Sequence, residues 1–335
     1  MYKDYFGFKE NPFSIAPNPR YLYMSTMHQE ALAHLVYGST SEGCITLLTG
    51  EVGTGKTTIS RYFLNRLPKD TVIAFIINPK LTVDELLSTI CDEFQVTVAA
   101  DTPTTKDYID SLNHYLLEAH GSGSQAVLMI DEAQNLDLEV LEMLRLLTNL
   151  ETDRRKLLKI FLLGQSQLAS ILSRPDLEQI NQRITGRYHL RELERDDVSA
   201  YISHRISVAG GGRSQLFSRA AVKEIYKLSR GIPRVINSLC DCALLGAYSE
   251  NRDSVNSKIV KKAAAEMFEN RQAEKKSSFL VKYLLVPASI TAALLVLVWY
   301  RIEMRPAGDE LRKPEPPVTE QKVQESPPPS LKGAI

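Results

Sequence analysis

The sequence runs to 335 residues, 44% hydrophobic and 24% charged, with 40 Lys plus Arg set against 40 Asp plus Glu. That length and apolar share allow two domains with their own cores, and the zero net charge offers no basic excess of the kind that marks wholesale nucleic-acid binding. Cys44, Cys91, Cys240 and Cys242 form neither a CxxC pair nor a spaced metal quartet, and the histidines include no HExxH, so a zinc-centred function is not indicated.

The chain opens with charge and aromatics (Met1-Tyr2-Lys3-Asp4-Tyr5) where a secretory signal needs an apolar stretch, so the N-terminal part is expected to stay in the cytoplasm. Residues 1–24, rich in Phe, Tyr and Pro, read as an extended arm packed on a globular body. A helix is predicted from about Ser25 to Tyr37, stopped by Gly38. Short apolar runs then alternate with amphipathic stretches. Strands are predicted at 45–48, 72–77, 126–130, 157–163 and, briefly, 188–190. Helices are predicted at 57–67, 83–94, 108–119 and 138–150, the last with Asp137 as its N-cap. Continuous apolar strands alternating with helices imply an α/β domain over 25–192, with a parallel sheet covered on both faces.

After Leu193 only helices are predicted, at 198–208, 219–228, 233–248 and 258–268, making a small helical lid over 193–270. Residues 279–300 read as one transmembrane helix. The stretch 283–300 carries no charge and would span roughly 27 Å as a helix, with Trp299 and Tyr300 at one edge. Residues 301–335, rich in Pro, Glu and Lys, read as a disordered spacer. Basic residues flank the span about equally and do not set its orientation. With no apolar signal at the N-terminus, the first domain is expected in the cytoplasm and the tail in the periplasm.

Two motifs carry the chemistry. Gly50-Glu51-Val52-Gly53-Thr54-Gly55-Lys56-Thr57, followed by Thr58, matches GxxxxGK[ST] between a predicted strand and a predicted helix. Glycines let consecutive N–H groups face phosphate oxygens, and the helix adds its positive end. Lys56 is assigned to the β- and γ-phosphates of ATP, and Thr57 to Mg²⁺. The run Val127 to Ile130 ends in Asp131 and Glu132, where Asp131 can hold the metal and Glu132 can orient the attacking water. The following Ala133-Gln134 completes an Asp-Glu-Ala-Gln string shared with helicases, but no other helicase motif accompanies it. Gln165, after the fourth strand, is a candidate γ-phosphate or water contact. Arg183 and Arg187 precede the last strand, and Gly231-Ile232-Pro233-Arg234 opens a lid helix that aims Arg234 at the nucleotide.

In this order the motifs resemble the AAA+ ATPases over roughly residues 20–268. The resemblance implies that Gln165 is the first sensor, Arg183 the arginine finger supplied to a neighbour (with Arg187 as a rival), and Arg234 the second sensor. It also implies a homo-oligomer. His28 stands where many relatives have an arginine, and no role is carried over to it. Tyr5-Phe6-Gly7-Phe8, Asn11-Pro12-Phe13, Pro17 to Tyr23, Leu163-Gly164-Gln165 and Arg187 to Leu190 further resemble the ExeA/GspA family of general (type II) secretion ATPases, with the MSHA pilus biogenesis ATPase MshM as a cousin. That resemblance implies a single-pass protein of the bacterial inner membrane that assists assembly of the secretin beside a GspB-type partner. The peptidoglycan-binding domain of longer members has no counterpart in the 35 residues after the span, so peptidoglycan binding is not carried over. The alternative is a nucleotide-dependent DNA-binding AAA+ protein of the transposition or replication-initiation type.

Overall fold

In the computed structural model the described residues are 2–267, save 78, 100, 101, 154 and 212–214, together with Trp299. Residues 1–271 form one compact unit. The expected membrane span and Pro-rich tail therefore lie outside the described residues, and among those described no helix is long and apolar enough to cross a membrane.

The chain begins with a single helical turn, α1 (Tyr2–Tyr5), and reaches its first long helix at α2 (Thr26–Thr40), capped by the Ser25 hydroxyl accepting from the His28 N–H. Alternating elements follow: β1 (Ile45–Gly50), α3 (Lys56–Leu64), β2 (Thr71–Ile76), α4 (Val83–Phe94), α5 (Thr105–Gly121), β3 (Gln125–Ile130), α6 (Leu138–Leu147) and β4 (Leu158–Gly164). Helices α4 and α5 start with reciprocal capping boxes, Thr82 with Glu85 and Thr104 with Asp107.

The five strands form one sheet in the order β2-β3-β4-β1-β5, β5 being Ile184–Leu190, and all described pairings are parallel. Strand β1, which lies between β4 and β5, is buried along its whole length. Ile45 and Leu47 enter the core beneath α4, α5 and α6, whereas Leu48 enters the core beneath α2 and α3. Burial on both faces is why this strand reads as an unbroken apolar run. Deleting the Leu48 side chain to Ala leaves a cavity that costs about 2–5 kcal/mol.

Three elements differ from the sequence expectation. The last strand is seven residues, not three, because its polar Thr185, Arg187 and His189 alternate outward on a sheet edge while Ile184 and Leu190 are buried. Helices α7 (Ser166–Leu172) and α8 (Glu178–Arg183) fill the segment before it. Each has two turns or fewer, too short for a 3.6-residue period to show.

Helices α9 (Arg195–Val208), α10 (Arg219–Ser229) and α11 (Pro233–Ser249), with a further helix at 257–267, share a separate core. Phe6, Phe8, Phe13 and Tyr21 of the N-terminal arm complete that core. The arm is pinned by the buried Arg205 of α9, which donates to the Pro12 and Ser14 carbonyls and lies 4.6 Å from the centre of the Tyr21 ring. Its aromatics thus belong to the lid and not to the sheet.

Candidate nucleotide site at the strand tips

Except for Arg183 and Arg187, the polar residues singled out in the sequence gather where β1, β3 and β4 end, the carboxyl edge at which open parallel sheets bind ligands. Between β1 and α3 the chain turns through Gly53 (φ +86°) and Gly55 (φ +108°), backbone that a side chain rarely adopts. A Cβ on Gly53 would stand 2.5 Å from the Arg234 Cβ, so only glycine lets the loop and the lid approach this closely. Arg234 in turn donates its backbone N–H to the Gly53 carbonyl at 3.2 Å. The loop is fixed from the other side by Ser166 of α7, whose hydroxyl donates to Glu51 at 2.6 Å.

Lys56 is 6% exposed, and its ammonium donates to the Gly50 and Glu51 carbonyls at 2.8 and 3.0 Å. Burial pulls its pKa below the usual lysine value, against the pull of Glu132, Asp131 and Glu51. The Thr57 hydroxyl donates to Asp131 Oδ2 at 2.5 Å, joining the phosphate loop to the acidic strand tip. Asp131 is itself 2% exposed and held by Ile76, whose carbonyl accepts the Asp131 N–H at 2.9 Å.

Glu132 sits in the left-handed region (φ +55°), unusual for a residue with a side chain and of a kind that clusters at functional sites. Its Oε2 accepts from Gln134 Nε2 at 2.6 Å and, more weakly, from Gln165 Nε2 at 3.4 Å. Gln134 was singled out only as part of the Asp-Glu-Ala-Gln string. Its role as partner to both Glu132 and Gln165 depends on β3 and β4 being neighbours, which no local spacing reveals.

A cavity of about 310 Å³ lies over this loop, walled by the arm, α3 and the lid. Thr54, Lys56, Thr57, Thr58, Glu132 and Arg234 line it, with His28, Tyr201 and Arg205 on other sides. His28 is buried, bonded through Nδ1 to the Ser25 hydroxyl at 2.7 Å, and burial lowers its pKa. The sequence left it without a role, and its place in the wall appears only once α2 is folded against the loop.

The donor set fits a magnesium nucleotide. A buried ammonium has only carbonyl partners, a glycine loop leaves open space, and a hydroxyl–carboxylate pair sits beside it. Mg²⁺ needs no more than one or two protein ligands when phosphates and water supply the rest.

Arg183 and Arg187 lie elsewhere. Arg183 precedes Ile184, which pairs with Ile45 at the start of β1, so it stands at the opposite end of the sheet from its own phosphate loop. Five residues of strand separate the two ends, roughly 16 Å. There Arg183 donates to the Asn149 side chain at 3.3 Å, and Arg187 to the Asn181 side chain at 2.6 Å. Arg183 is thus remote from its own phosphate loop.

General secretion pathway protein A of Aeromonas hydrophila is 49% identical to this chain over 267 residues, 80% of the chain and 48% of the relative. The chain belongs to the general secretion pathway protein A family. It spans about half the length of that relative. A family model described as an AAA domain matches residues 40–172, from the start of the sheet through α7. That match takes in the phosphate loop, Asp131, Glu132 and Gln165.

Among solved structures, Cdc6p from Pyrobaculum aerophilum superposes with a TM-score of 0.61 at 16% identity, covering 76% of this chain and 70% of its own. The ORC1 protein of Aeropyrum pernix, solved in complex with DNA, gives 0.56 at 16%, covering 74% and 66%. At such identities the likeness is one of fold.

Proposed function

We propose that this chain binds and hydrolyses Mg²⁺-ATP and that the cycle assists assembly of a secretion or type IV pilus machine at the bacterial inner membrane. The observation that carries the catalytic half is the Thr57–Asp131 bond, which makes one site of two motifs 74 residues apart in sequence. Lys56 is assigned to the phosphates, for which it exchanges its two loop carbonyls. The loop N–H groups and the start of α3 add positive potential to the same place. Bound Mg²⁺ would neutralise charge on the phosphates, held by Thr57 and Asp131. Glu132, with Oε2 already bonded, keeps Oε1 to accept from water. Arg234 closes the site from the lid.

The machine it serves is read from kinship. A relative 49% identical carries the name general secretion pathway protein A. Secretin assembly, a GspB-type partner and a single membrane helix at 279–300, with the ATPase domain cytoplasmic and the tail periplasmic, belong to the same reading. Arg183 is assigned as a finger to a neighbouring subunit, because it is remote from its own loop. The DNA-binding alternative draws on likeness of fold alone.

The test is complementation in cells lacking the native gene. Lys56→Ala and Glu132→Gln, expressed at wild-type level, are expected to leave the secretin without its outer-membrane multimer. Normal multimer formation with either variant would contradict the proposal. Salt-sensitive DNA binding by the purified protein would support the alternative.

A further inference from the structure

Glu132 is held by a residue that the ATPase motifs do not include. Gln134 donates through Nε2 to Glu132 Oε2 at 2.6 Å, and its Oε1 accepts the Gln165 backbone N–H at 3.0 Å. One amide therefore ties the tip of β3 to the tip of β4. The space is closed around it, since a Cβ on Gly164 would stand 2.9 Å from the same Oε1. The backbone at Glu132 is in the left-handed region, so this carboxylate is not where an ordinary strand exit would leave it. Conformations of that kind persist only when surrounding contacts over-determine them.

We propose that Gln134 is a positioning residue for ATP hydrolysis, fixing the Glu132 carboxylate so that Oε2 is occupied and Oε1 is presented to the attacking water. This rests on Glu132 being the water-orienting group. An amide suits the task for two reasons. Its N–H occupies Oε2 and so fixes the rotation of the carboxylate. Its carbonyl takes the Gln165 N–H, so the candidate sensor and Glu132 are placed by one side chain. Other charges facing Glu132 are Lys56 and Asp131, with Arg234 lining the cavity above.

The substitution that separates these bonds is Gln134→Glu. Its carboxylate still accepts from the Gln165 N–H but no longer donates to Glu132. Two carboxylates so close repel, which moves Glu132 from its bonded position. The expected result is a kcat lower by roughly 10- to 100-fold at pH 7, because the carboxylate is displaced. KM for ATP should stay within about twofold of wild type, as only water positioning is touched.

Gln134→Met, of similar volume and without charge, is the companion in case the charged variant fails to fold. It should lower kcat with KM unchanged. Wild-type kcat in both variants would overturn the proposal. So would a loss of ATP binding and melting temperature that matches the loss of kcat, which would make Gln134 a strut. Glu132→Gln is run alongside. Wild-type turnover there would fault the assignment of Glu132 itself and not the role of Gln134.

Discussion

The two ends of this sheet each bury a lysine, and the comparison shows what makes one of them a site. Lys56, at the carboxyl end, is 6% exposed and donates to the Gly50 and Glu51 carbonyls. Lys159, on β4 near the amino end, is 7% exposed and donates to the Ser41 and Gly43 carbonyls. Burial lowers the pKa of both. The difference lies in what surrounds them. Around Lys56 the backbone is glycine-rich, a cavity stands open, and Asp131 and Glu132 lie close. Around Lys159 the carbonyls end α2 and its turn, and the groups acting on its charge are the Cys44 thiol, Glu42, Lys156 and Arg155. One ammonium has a better partner to exchange for, and the other is a strut.

The amino end is more than scaffold if its arginine acts on a neighbour. Arginine fingers are worth about 10³–10⁵ in rate. Arg183→Ala should lose hydrolysis on that scale while binding ATP normally. Mixing it with Lys56→Ala protein should restore activity in steady-state assays, because the Arg183→Ala subunit keeps an intact phosphate loop and borrows its neighbour's arginine. An unchanged rate for Arg183→Ala would leave the amino end purely structural.

Exchanging the two lysines for neutral residues breaks the comparison most plainly. Lys56→Ala should weaken ATP binding by roughly 100-fold or more, since it removes a charge-assisted bond to phosphate in a low-dielectric site. It also leaves the Gly50 and Glu51 carbonyls without their donor, so stability falls in this variant as well. Lys159→Met should lower stability alone. It leaves two carbonyls without their donor at a cost of about 1–3 kcal/mol, with ATP affinity intact in calorimetric titration. Equal behaviour of the two variants would dissolve the distinction.

His28 offers a smaller effect at the carboxyl end. Its folded pKa lies below the 6.5 of an exposed histidine because it is buried. The neutral ring is therefore favoured by folding. Its contribution is fully present above 6.5 and is lost as pH falls below it, since the unfolded chain takes the proton first. Wild-type stability should drop between pH 7.5 and 5.5 by up to about 1.4 kcal/mol per pH unit more than that of His28→Gln. Parallel pH curves for the two would remove His28 from the account.

What the sequence made legible follows the same division. The phosphate loop, Asp131 and Glu132 could be read because their roles need fixed residue types at fixed short spacing. The alternating strands and helices could be read because burial on both faces leaves continuous apolar runs. Contacts set by strand order could not. Gln134 meets Gln165 only because β4 lies beside β3, and Arg183 is remote from its own loop only because β5 pairs in parallel with β1. The aromatic arm was recognisable as something packed, but its attachment to the lid through Arg205 joins residues 191 and 193 positions apart. Helices α7 and α8 were missed because one or two turns leave no periodicity.

The central claim is that the strand-tip site is a hydrolytic one in which Glu132 orients the water. ATP binding and phosphate release by Glu132→Gln, measured on the same preparation, test it most directly. ATP should bind with an affinity within a fewfold of wild type, while phosphate release falls by roughly 100-fold or more. Wild-type phosphate release from Glu132→Gln would contradict the account.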